Sequence, residues 1–403
     1  MERSAGYIRQ TIMQASCTLF PGKEKRVYQA QTWIYRSEIA KTEKTAKPGD
    51  VVRVRSANGM FLGQAFYNPA SQMTLRLLTR SETPVDAEFI HNRIVRAIAY
   101  RRKFADLTSC RLIFSESDGL PGLVADAFGP VIVIQIMCLG MDRFRDTIVE
   151  ALNDELHPQA IYERSDAPVR RLEGLEEKAG LLCGELPQDI IMCENGIRFR
   201  VDVVHGQKTG YFLDQKENRA AIAPFVKGAS VLDCFTHTGA FALHAAHYGA
   251  DSVTAVDISE DALKTARGNA ELNGFKQIEF VCANAFDWLK AQTQTDERYD
   301  VVILDPPAFT KTRGTVDAAR RGYKEINLRG LKLVRDGGYL VTCSCSQHML
   351  RDEFVRVVLE AARDAHVRLM QAELRTQGRD HPILPSMPET EYLKCGIYRV
   401  EKL

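Results

Sequence analysis

The 403-residue sequence lacks the patterns that mark several large classes of protein. Its longest apolar run, 131–138, contains Gln135 and falls far short of the roughly 20 residues that cross a membrane. The N-terminus has no charged segment followed by an apolar one, so no secretory signal is expected. The ten cysteines form no CxxC pair and the nine histidines no HxxxH pair, which argues against a zinc site and favours reduced thiols. These absences predict a cytoplasmic protein with no metal and no membrane partner.

The net charge of the chain is close to zero, but individual segments carry a large net charge. The chain has 53 Lys and Arg residues against 52 Asp and Glu residues, a net charge of +1. Residues 1–80 hold 13 basic and 5 acidic residues, a net charge of +8, whereas residues 81–195 hold 12 and 20, a net charge of −8. A basic unit indicates an anionic partner, with nucleic acid first, and a solvated basic face without a ligand is the alternative that charge alone leaves open.

Turn signals and charge divide the chain into four segments: an N-terminal extension, 1–21; a small β-rich domain, 22–80; a central α/β domain, 81–195; and a C-terminal domain, 196–403. In the second segment Asn58-Gly59 separates the alternating runs 51–55 and 61–67, which predicts a β-hairpin. From Ser230 onward, strands and helices alternate regularly. This alternation predicts an α/β fold with a doubly wound, Rossmann-like parallel sheet and helices on both faces.

The first strand of this alternation leads into a loop that suits a small adenosyl ligand. Asp233 lies in the strand, Phe235 and Thr238 follow, and Gly239 precedes the next helix. Ligands of open α/β sheets bind at the carboxyl ends of strands, and small residues at 238–240 let a ligand approach the backbone. The sequence lacks GxGxxG, which argues against a nicotinamide-dependent oxidoreductase. Asp257 ends the next strand, where a carboxylate accepts both ribose hydroxyls; an ordinary βα turn is the alternative for each element alone.

Two later strands end in residues that bear on chemistry. Asp305 precedes Pro306 and Pro307, which stiffen the loop and remove two amide donors, so Asp305 is expected at the rim of the site and able to contact a base. The fifth strand carries Cys343 and Cys345, which a regular strand points to the same side. A thiolate that adds to C6 of cytosine makes C5 nucleophilic, whereas methylation of an amine needs no cysteine. Burial as a small apolar side chain is the alternative, and spacing does not choose between the two cysteines.

Together these motifs resemble class I S-adenosylmethionine (SAM)-dependent methyltransferases. They resemble more closely the bacterial large-subunit ribosomal RNA cytosine-C5 methyltransferases of family I. The resemblance covers nearly the whole chain and implies an N-terminal PUA domain, a central α/β domain and a methyltransferase domain. It is carried by residues 66–72, 116–122, 164–166, 205–215, 305–309, 321–327, 342–346, 381–382 and 391–394.

The resemblance also implies a role for particular residues. It makes Cys345 of the Ser-Cys-Ser sequence the nucleophile, with Asp305 as the second catalytic residue, and Cys343 a packing residue. The cofactor is SAM, bound by Asp233, Phe235, Thr238, Gly239, Asp257, Asn284, Asp305, Gln215 and Lys208. The expected substrate-binding residues are Pro306, Pro307, Phe309, Tyr323 and Lys324; for the last two, on a helix, a solvated face is the alternative.

The expected activity is SAM-dependent formation of 5-methylcytosine in 23S ribosomal RNA through a covalent bond between cysteine and C6. The expected partner is that RNA or a large-subunit assembly intermediate, and a homodimer is left open. An N-methyltransferase acting on guanine or adenine and a catalytically silent RNA-binding factor are the alternatives. Ala308 stands where many cytosine-C5 methyltransferases have a second cysteine, so the group that removes the C5 proton is unassigned.

Overall fold

The computed structural model describes residues 14–310 and 313–403, and residues 1–13 of the expected extension lie outside this range. The first unit contains β1 Ser16–Leu19, α1 Lys25–Tyr28, β2 Trp33–Ile34, β3 Ile39–Thr42, β4 Val51–Arg55, β5 Phe61–Tyr67 and β6 Leu75–Thr79. The strands form one sheet in the order β2-β6-β5-β4-β1-β3. Strands β4 and β5 pair antiparallel around Asn58-Gly59, as predicted. Because β1 pairs with β3 and β4, the sheet begins before the expected boundary at residue 22.

The central unit is a five-stranded sheet covered by helices. Its elements are α2 Ala87–Arg101, β7 Ser109–Phe114, β8 Leu123–Phe128, β9 Val131–Ile136, α3 Leu139–Asp142, α4 Arg145–Leu156, β10 Ala160–Ser165, α5 Val169–Leu172 and β11 Lys178–Gly184. The strand order is β11-β10-β9-β8-β7. Helix α2 begins after Asp86, whose side chain accepts a hydrogen bond from the Phe89 amide, and buries Ile90, Ile94 and Ile98 against this sheet. A hairpin, β12 Ile191–Glu194 and β13 Ile197–Arg200, leads into the last unit.

The last unit is a seven-stranded sheet with helices on both faces. It contains α6 Lys216–Ala221, α7 Ala223–Val226, β14 Ser230–Cys234, α8 Ala240–His247, β15 Ser252–Asp257, α9 Glu260–Asn273, β16 Ile278–Cys282, α10 Ala285–Gln292, β17 Tyr299–Leu304, α11 Val316–Leu333, β18 Val334–Ser344, α12 Arg351–Asp364, β19 Val367–Arg375 and β20 Lys394–Lys402. The order is β16-β15-β14-β17-β18-β20-β19. The α/β prediction is confirmed, but the sheet is mixed, because β20 runs antiparallel to β18 and β19. In the described part of the chain, no helix is long and apolar enough to cross a membrane.

Burial on both faces of the sheet explains why its central strands are apolar throughout. In β17, Val301 and Ile303 face one apolar layer, while Val302 and Leu304 face the other. The first layer includes side chains of α8, and the second includes those of α11 and α12. Each fully buried side chain of this kind contributes roughly 1.5–3 kcal/mol. This packing fixes where each strand ends and therefore fixes the positions of the residues that follow the strands.

The glycine pair 337–338 lies inside strand β18. Pairing with β17 jumps from Val334 opposite Tyr299 to Tyr339 opposite Val301. Four residues of β18, 335–338, thus lie opposite one residue of β17, and within this irregularity Gly337 has a positive φ of 78°. The glycines therefore allow an irregularity within one strand, which then continues to Ser344.

Buried ion pairs join the first unit to the central one. Arg76 donates to Glu116 at 2.9 Å and to Glu173 at 3.0 Å, and these three side chains are at most 9% exposed. The Trp33 indole donates to Glu116 at 2.8 Å, and the Asn68 amide donates to Glu173 at 2.8 Å. Removing one member of such a network leaves an uncompensated buried charge. The two units are therefore electrostatically dependent on each other.

Candidate active site

Strand register brings the predicted site residues to one edge of the seven-stranded sheet. Cys234 of β14 is paired with Val256 of β15 and with Leu304 of β17, and Leu304 is paired with Thr342 of β18. The parallel strands therefore end level with one another. The residues that follow them, which include Asp257, Asp305 and Cys345, line the same edge, as the rule for open α/β sheets predicts.

The loop after β14 has an unusual backbone, which two carboxylates hold in place. Phe235, His237 and Gly239 have φ angles of 66°, 51° and 83°, in the left-handed region. Asp233 accepts hydrogen bonds from the Thr236 hydroxyl at 2.5 Å and from the Ala242 amide at 3.0 Å, and Asp257 accepts one from the His237 amide at 2.8 Å. Strained backbone that persists in this way is typical of functional loops.

Gly239 is required by its own conformation and by helix packing. A Cβ atom there would lie 2.6 Å from Cδ1 of Leu243 and 3.0 Å from Cβ of Ala266, on α8 and α9. The sequence pattern predicts a different reason for a small residue here, namely the approach of a ligand to the backbone. In the structure, a Cβ atom at this position would clash with α8 and α9. The glycine therefore affects ligand binding through the shape of the loop.

Three carboxylates give this edge a negative character. Asp233 is fully buried, and its Oδ1 atom has no hydrogen-bond partner among the described residues. Burial raises the pKa of Asp233 to about 7, and the negative charges of Asp305 and Asp257 add to this effect. An unpartnered buried carboxylate oxygen is costly unless a donor meets it. The site therefore fits a cationic ligand such as SAM, which carries an ammonium group and a sulfonium centre.

Asp257 and Asn284 both support backbone at the cofactor side of the edge. Asp257 is half-buried and accepts hydrogen bonds from the amides of His237 and Ser259, which leaves lone pairs for ribose hydroxyls. Asn284 is exposed and caps helix α10, with its Oδ1 atom 2.9 Å from the Phe286 amide. Because the cap uses only one lone pair of that oxygen, contact between Asn284 and adenine stays a prediction.

Gln215 orients the acid of the Asp-Pro-Pro loop. Its side-chain amide donates to Asp305 at 3.0 Å, and its carbonyl oxygen accepts from Asn218 at 2.7 Å. Burial raises the pKa of Asp305 to about 7, and the nearby charge of Asp214 adds to the increase. Both ends of the Gln215 amide are therefore engaged by protein groups. Lys208, the other residue expected to contact cofactor, is half exposed, with Nζ 3.6 Å from Asp214.

The two cysteines of the fifth strand lie in different environments. Cys343 is fully buried in an apolar layer and is paired with Cys395 of β20, and burial raises its pKa well above the usual range. Cys345 follows the end of β18 and is only half-buried, with Sγ 3.9 Å from the carbonyl oxygen of Pro306. Burial raises the pKa of Cys345 to about 11, and Asp305 adds to the increase. Because the strand ends at Ser344, the regular alternation that grouped the two cysteines does not extend to Cys345.

Tyr323 and Lys324 do not have the surroundings expected of substrate-binding residues. Tyr323 is fully buried, and its hydroxyl lies 2.9 Å from the hydroxyl oxygens of both Ser344 and Ser346. Lys324 pairs with Asp364 of α12 at 2.7 Å. The expected substrate contact of Tyr323 is wrong, because the buried side chain supports the cysteine loop from beneath. Lys324 links two helices, and its contact with substrate stays a prediction.

The other residues expected to bind substrate differ in exposure. Pro306 is buried, Pro307 is exposed and Phe309 is half-buried. The Phe309 ring packs 5.7 Å from that of Phe286 and 4.6 Å from that of Tyr323. Pro307 is thus the member of the loop with most surface available to a ligand.

A buried group whose role sequence reasoning missed lies at the start of β20. The side chain of Lys394 is buried, and its ammonium donates to the carbonyl oxygens of Ser346 at 2.7 Å and Tyr392 at 2.9 Å. The Tyr392 hydroxyl donates to Asp214 at 2.7 Å. Pairing of β20 with β18 brings these residues together, and no local pattern in the sequence signals this pairing. Among residues 14–310 and 313–403, no group of three or more His, Cys, Asp and Glu side chains is arranged to hold a metal ion.

Comparisons with known proteins agree with this geometry. A family model for S-adenosylmethionine-dependent methyltransferases matches residues 175–395, and one for PUA-like domains matches residues 17–80. A solved structure described as a SAM-dependent methyltransferase from Streptococcus mutans has a TM-score of 0.80 at 21% identity, covering 95% of this chain and 99% of that one. A methyltransferase complexed with SAH has a TM-score of 0.82, also at 21% identity, covering 95% of this chain and 99% of its own. At this identity the structures establish the fold.

Similar sequences give a closer relationship. A protein of Shewanella denitrificans is 43% identical over 391 residues, covering 95% of this chain and 98% of its own length. One of Pseudoalteromonas atlantica is 40% identical over 394 residues, covering 96% and 100%. Both are named ribosomal RNA large subunit methyltransferase I. The chain therefore belongs to the S-adenosylmethionine-dependent methyltransferases, in the family whose members bear that name.

Proposed function

We propose that this protein methylates C5 of a cytosine in large-subunit ribosomal RNA. The observation that carries the proposal is the contrast between the two cysteines: Cys345 is half-buried at the edge shared with Asp305, whereas Cys343 is sealed in the core. Methylation of an amine needs no thiol at this edge, whereas C5 of cytosine is a poor nucleophile until a thiolate adds to C6. The names of the relatives point to large-subunit ribosomal RNA as the substrate class.

The cofactor lies against the ends of β14 and β15 in this proposal. Asp257 accepts the ribose hydroxyls, and the buried charge of Asp233 beneath the loop favours the cationic amino-acid part. SAM, when bound, supplies an electrophilic methyl group on a sulfonium sulfur. The buried carboxylates favour that cation because its charge relieves their mutual repulsion.

Cys345 and Asp305 contact the target base in this proposal. The target cytosine leaves its stack to reach the edge of the sheet. The Cys345 thiolate forms a bond to C6, which gives C5 the electron density to accept a methyl group. Removal of the C5 proton then breaks the bond between sulfur and C6 and returns the thiolate. Asp305, held by Gln215 and with its pKa raised to about 7, hydrogen-bonds the polar edge of the base.

The PUA-like domain binds the phosphates of the RNA in this proposal. Residues 1–80 have a net charge of +8, and Lys41, Lys44 and Lys47 are exposed on the six-stranded unit. Phosphate contacts from such side chains supply affinity and orientation but read no sequence. Free 23S RNA and an assembly intermediate both present these phosphates.

Covalent trapping tests the proposed function. RNA with 5-fluorocytidine at the target position should form a stable adduct with the wild-type protein, because fluorine does not leave as a proton does. Cys343→Ala should still form the adduct and methylate, whereas Cys345→Ala should do neither while binding S-adenosylhomocysteine normally. Methylation by Cys345→Ala, or an adduct mapped to Cys343, would refute the assignment. A methyl group located on an exocyclic nitrogen would instead support the N-methyltransferase alternative.

A further inference from the structure

A lysine is buried beside the proposed nucleophile. Lys394 opens strand β20 and is 2% exposed, although lysine is rarely buried without a charged partner. In the antiparallel pairing of β20 with β18, Lys394 lies opposite Ser344, the neighbour of Cys345. Its ammonium donates to the carbonyl oxygen of Ser346, the other neighbour of Cys345, at 2.7 Å. The lysine is therefore fixed to the loop that carries the thiol.

We propose that Lys394 is a positioning residue that supplies the positive charge opposite the Cys345 thiolate. The proposal rests on the proposed function, in which Cys345 attacks carbon. An ammonium has three N–H donors, and the carbonyl oxygens of Ser346 and Tyr392 use two of them. One donor remains for a sulfur anion. Neither of those two partners is charged, so the hydrogen bonds hold the lysine without neutralising it.

The charges around Cys345 explain why a buried cation is needed. Asp305, from the loop after β17, and Asp214, from the segment before α6, both oppose ionisation of the thiol. The buried hydroxyl of Tyr323 on α11 also lies near Cys345. Lys208 and Lys394 favour ionisation.

The two lysines are not equivalent. Lys208 is half exposed, with Nζ 3.6 Å from Asp214 and 4.5 Å from the centre of the Phe212 ring. Its charge is therefore screened by solvent and shared with a carboxylate. Lys394 is buried, and the groups that favour its charged form are Cys345 first and then Glu391. Lys208 lowers the pKa of the Cys345 thiol more than Lys394 does, but solvent screens Lys208, whereas a buried charge acts in a low-dielectric environment. Lys394 is therefore the counter-charge that salt and solvent weaken least.

The proton balance closes within this pair. Burial lowers the pKa of Lys394 to about 8, so a fraction of the side chain is a neutral amine near neutral pH. Because the thiol pKa of about 11 lies above that of the amine, transfer of the thiol proton to the amine is unfavourable at rest and is drawn forward when the thiolate bonds to C6. The S–C6 bond then forms from the thiolate. Expulsion of the cysteine later returns the thiolate, so the ammonium keeps its proton through the cycle.

The test measures alkylation of Cys345 by iodoacetamide across pH, in full-length protein without RNA, with the modified peptide quantified by mass spectrometry. Lys394→Gln keeps N–H donors without the charge, Lys394→Met removes both, and Lys394→Arg keeps the charge. At pH 7.5 alkylation should slow by about tenfold or more in the Gln and Met variants, equivalent to about one pKa unit. The Arg variant should restore most of the rate.

Lys402→Met is the matched control. Lys402 lies on the same strand, and its ammonium also donates to a backbone carbonyl, that of Leu331, at 2.8 Å. Alkylation of Cys345 in this variant should follow the wild-type pH profile. Circular dichroism and S-adenosylhomocysteine affinity verify the fold of every variant.

Particular outcomes would overturn the proposal. A wild-type pH profile of alkylation in Lys394→Gln or Lys394→Met would do so, even if methylation fell, because the lysine would then have only a structural role. Should both neutral variants fail to fold, Lys394→Arg decides. Arginine keeps its charge above pH 8, where Lys394 loses it, so alkylation of Cys345 at pH 9 that is no faster in Lys394→Arg than in wild type would exclude an effect of this charge on the thiol. Methylation by Cys345→Ala would refute the proposed function instead, and the alkylation profile would still report on the lysine and the thiol.

Discussion

The hydroxyl of Tyr323 lies 2.9 Å from Oγ of Ser346, the residue that follows the proposed nucleophile. The same hydroxyl accepts a hydrogen bond from Ser344, the residue that precedes it, also at 2.9 Å. One buried phenol on α11 thus holds both neighbours of Cys345. The serines of the Ser-Cys-Ser sequence consequently have a structural explanation: they attach the end of β18 to the helix that packs beneath it.

Replacing Tyr323 with phenylalanine should loosen the cysteine loop while keeping the packed ring. The change leaves two serine hydroxyls without their shared partner, which costs roughly 1–3 kcal/mol of unfolding free energy. We expect kcat to fall by about tenfold or more with little change in KM for RNA. Tyr398→Phe is the matched control, because the buried Tyr398 hydroxyl has no hydrogen-bond partner in the described part of the chain, so its loss should not destabilise the protein. Equal effects of the two substitutions on kcat would contradict the prediction.

Gly239→Ala should weaken cofactor binding through the shape of the loop. The new Cβ atom meets Leu243 and Ala266, and the residue must keep a φ of 83°. Gly274→Ala separates the two effects, since Gly274 has a φ of 74° but no described residue lies within 4 Å of the added atom. The left-handed conformation alone costs roughly 1–2 kcal/mol, so we expect Gly239→Ala to lose more stability than Gly274→Ala in urea titrations. Only Gly239→Ala should bind S-adenosylhomocysteine less tightly.

Asp257→Ala should lower affinity for S-adenosylhomocysteine by roughly 10–100-fold, the loss expected for a charge-assisted hydrogen bond. The substitution also frees the amides of His237 and Ser259. Asp257→Asn is therefore informative, because it keeps an oxygen acceptor without the charge and should lose less affinity than alanine. Calorimetric titration measures both, and unchanged affinity in Asp257→Ala would exclude the assignment.

The raised pKa of Asp305 predicts a particular pH dependence of stability. In the folded protein this carboxyl holds its proton up to about pH 7, whereas in the unfolded chain it loses the proton near pH 4. The folded state therefore binds more protons in this window, and the contribution of Asp305 to stability falls as pH rises from about 4 to 7. Asp305→Asn carries no such penalty, so its stability relative to wild type should be greater at pH 8 than at pH 5. Urea unfolding at both values measures the difference, and a pH-independent difference would argue against the raised pKa.

Charge changes within the basic first unit test its role in RNA binding without removing the unit from the chain. Arg76 compensates the buried Glu116 and Glu173, so deleting the unit would damage the central domain as well. Replacing exposed Lys41 and Lys44 with glutamate in the full chain should reduce the slope of log affinity against log salt by about 0.7–0.9 for each lost phosphate contact. The same change at two exposed lysines of the methyltransferase domain, such as Lys264 and Lys276, serves as the control. An identical slope in both doubly substituted proteins would contradict a role for the first unit.

Local patterns predicted the elements that carry the cofactor edge. Helix α9 starts after Ser259, which caps the Ala262 amide, and stops at Gly274, as its sequence indicates. The alternation of strands and helices also predicted that Asp257 and Asp305 lie at one edge, where parallel strands end. These features depend on neighbouring residues and on the regular geometry of βα units, so the sequence alone was sufficient.

The surroundings of the nucleophile were not predictable in the same way. Tyr323, Lys394 and Asp214 come from separate parts of the chain, and only long-range packing brings them to Cys345. Tyr323 was expected to bind substrate because a polar residue on a helix after the Asp-Pro-Pro loop resembles an exposed one. Tyr323 lies on the buried face of the amphipathic helix α11. A local sequence pattern does not distinguish a buried tyrosine hydroxyl with two hydrogen-bond partners from a solvated hydroxyl.

The position of β20 has a consequence for the order in which the site is assembled. This strand pairs with β18 on one side and β19 on the other, although both are synthesised before it. A nascent chain that has emerged only as far as β19 therefore has the five parallel strands and their cofactor edge, but it has neither Lys394 nor the pairing that steadies Ser344. The loop that carries Cys345 is surrounded by all of its neighbours only after the cofactor-binding strands have been synthesised. The surroundings of the reactive thiol are therefore completed late in the synthesis of the protein.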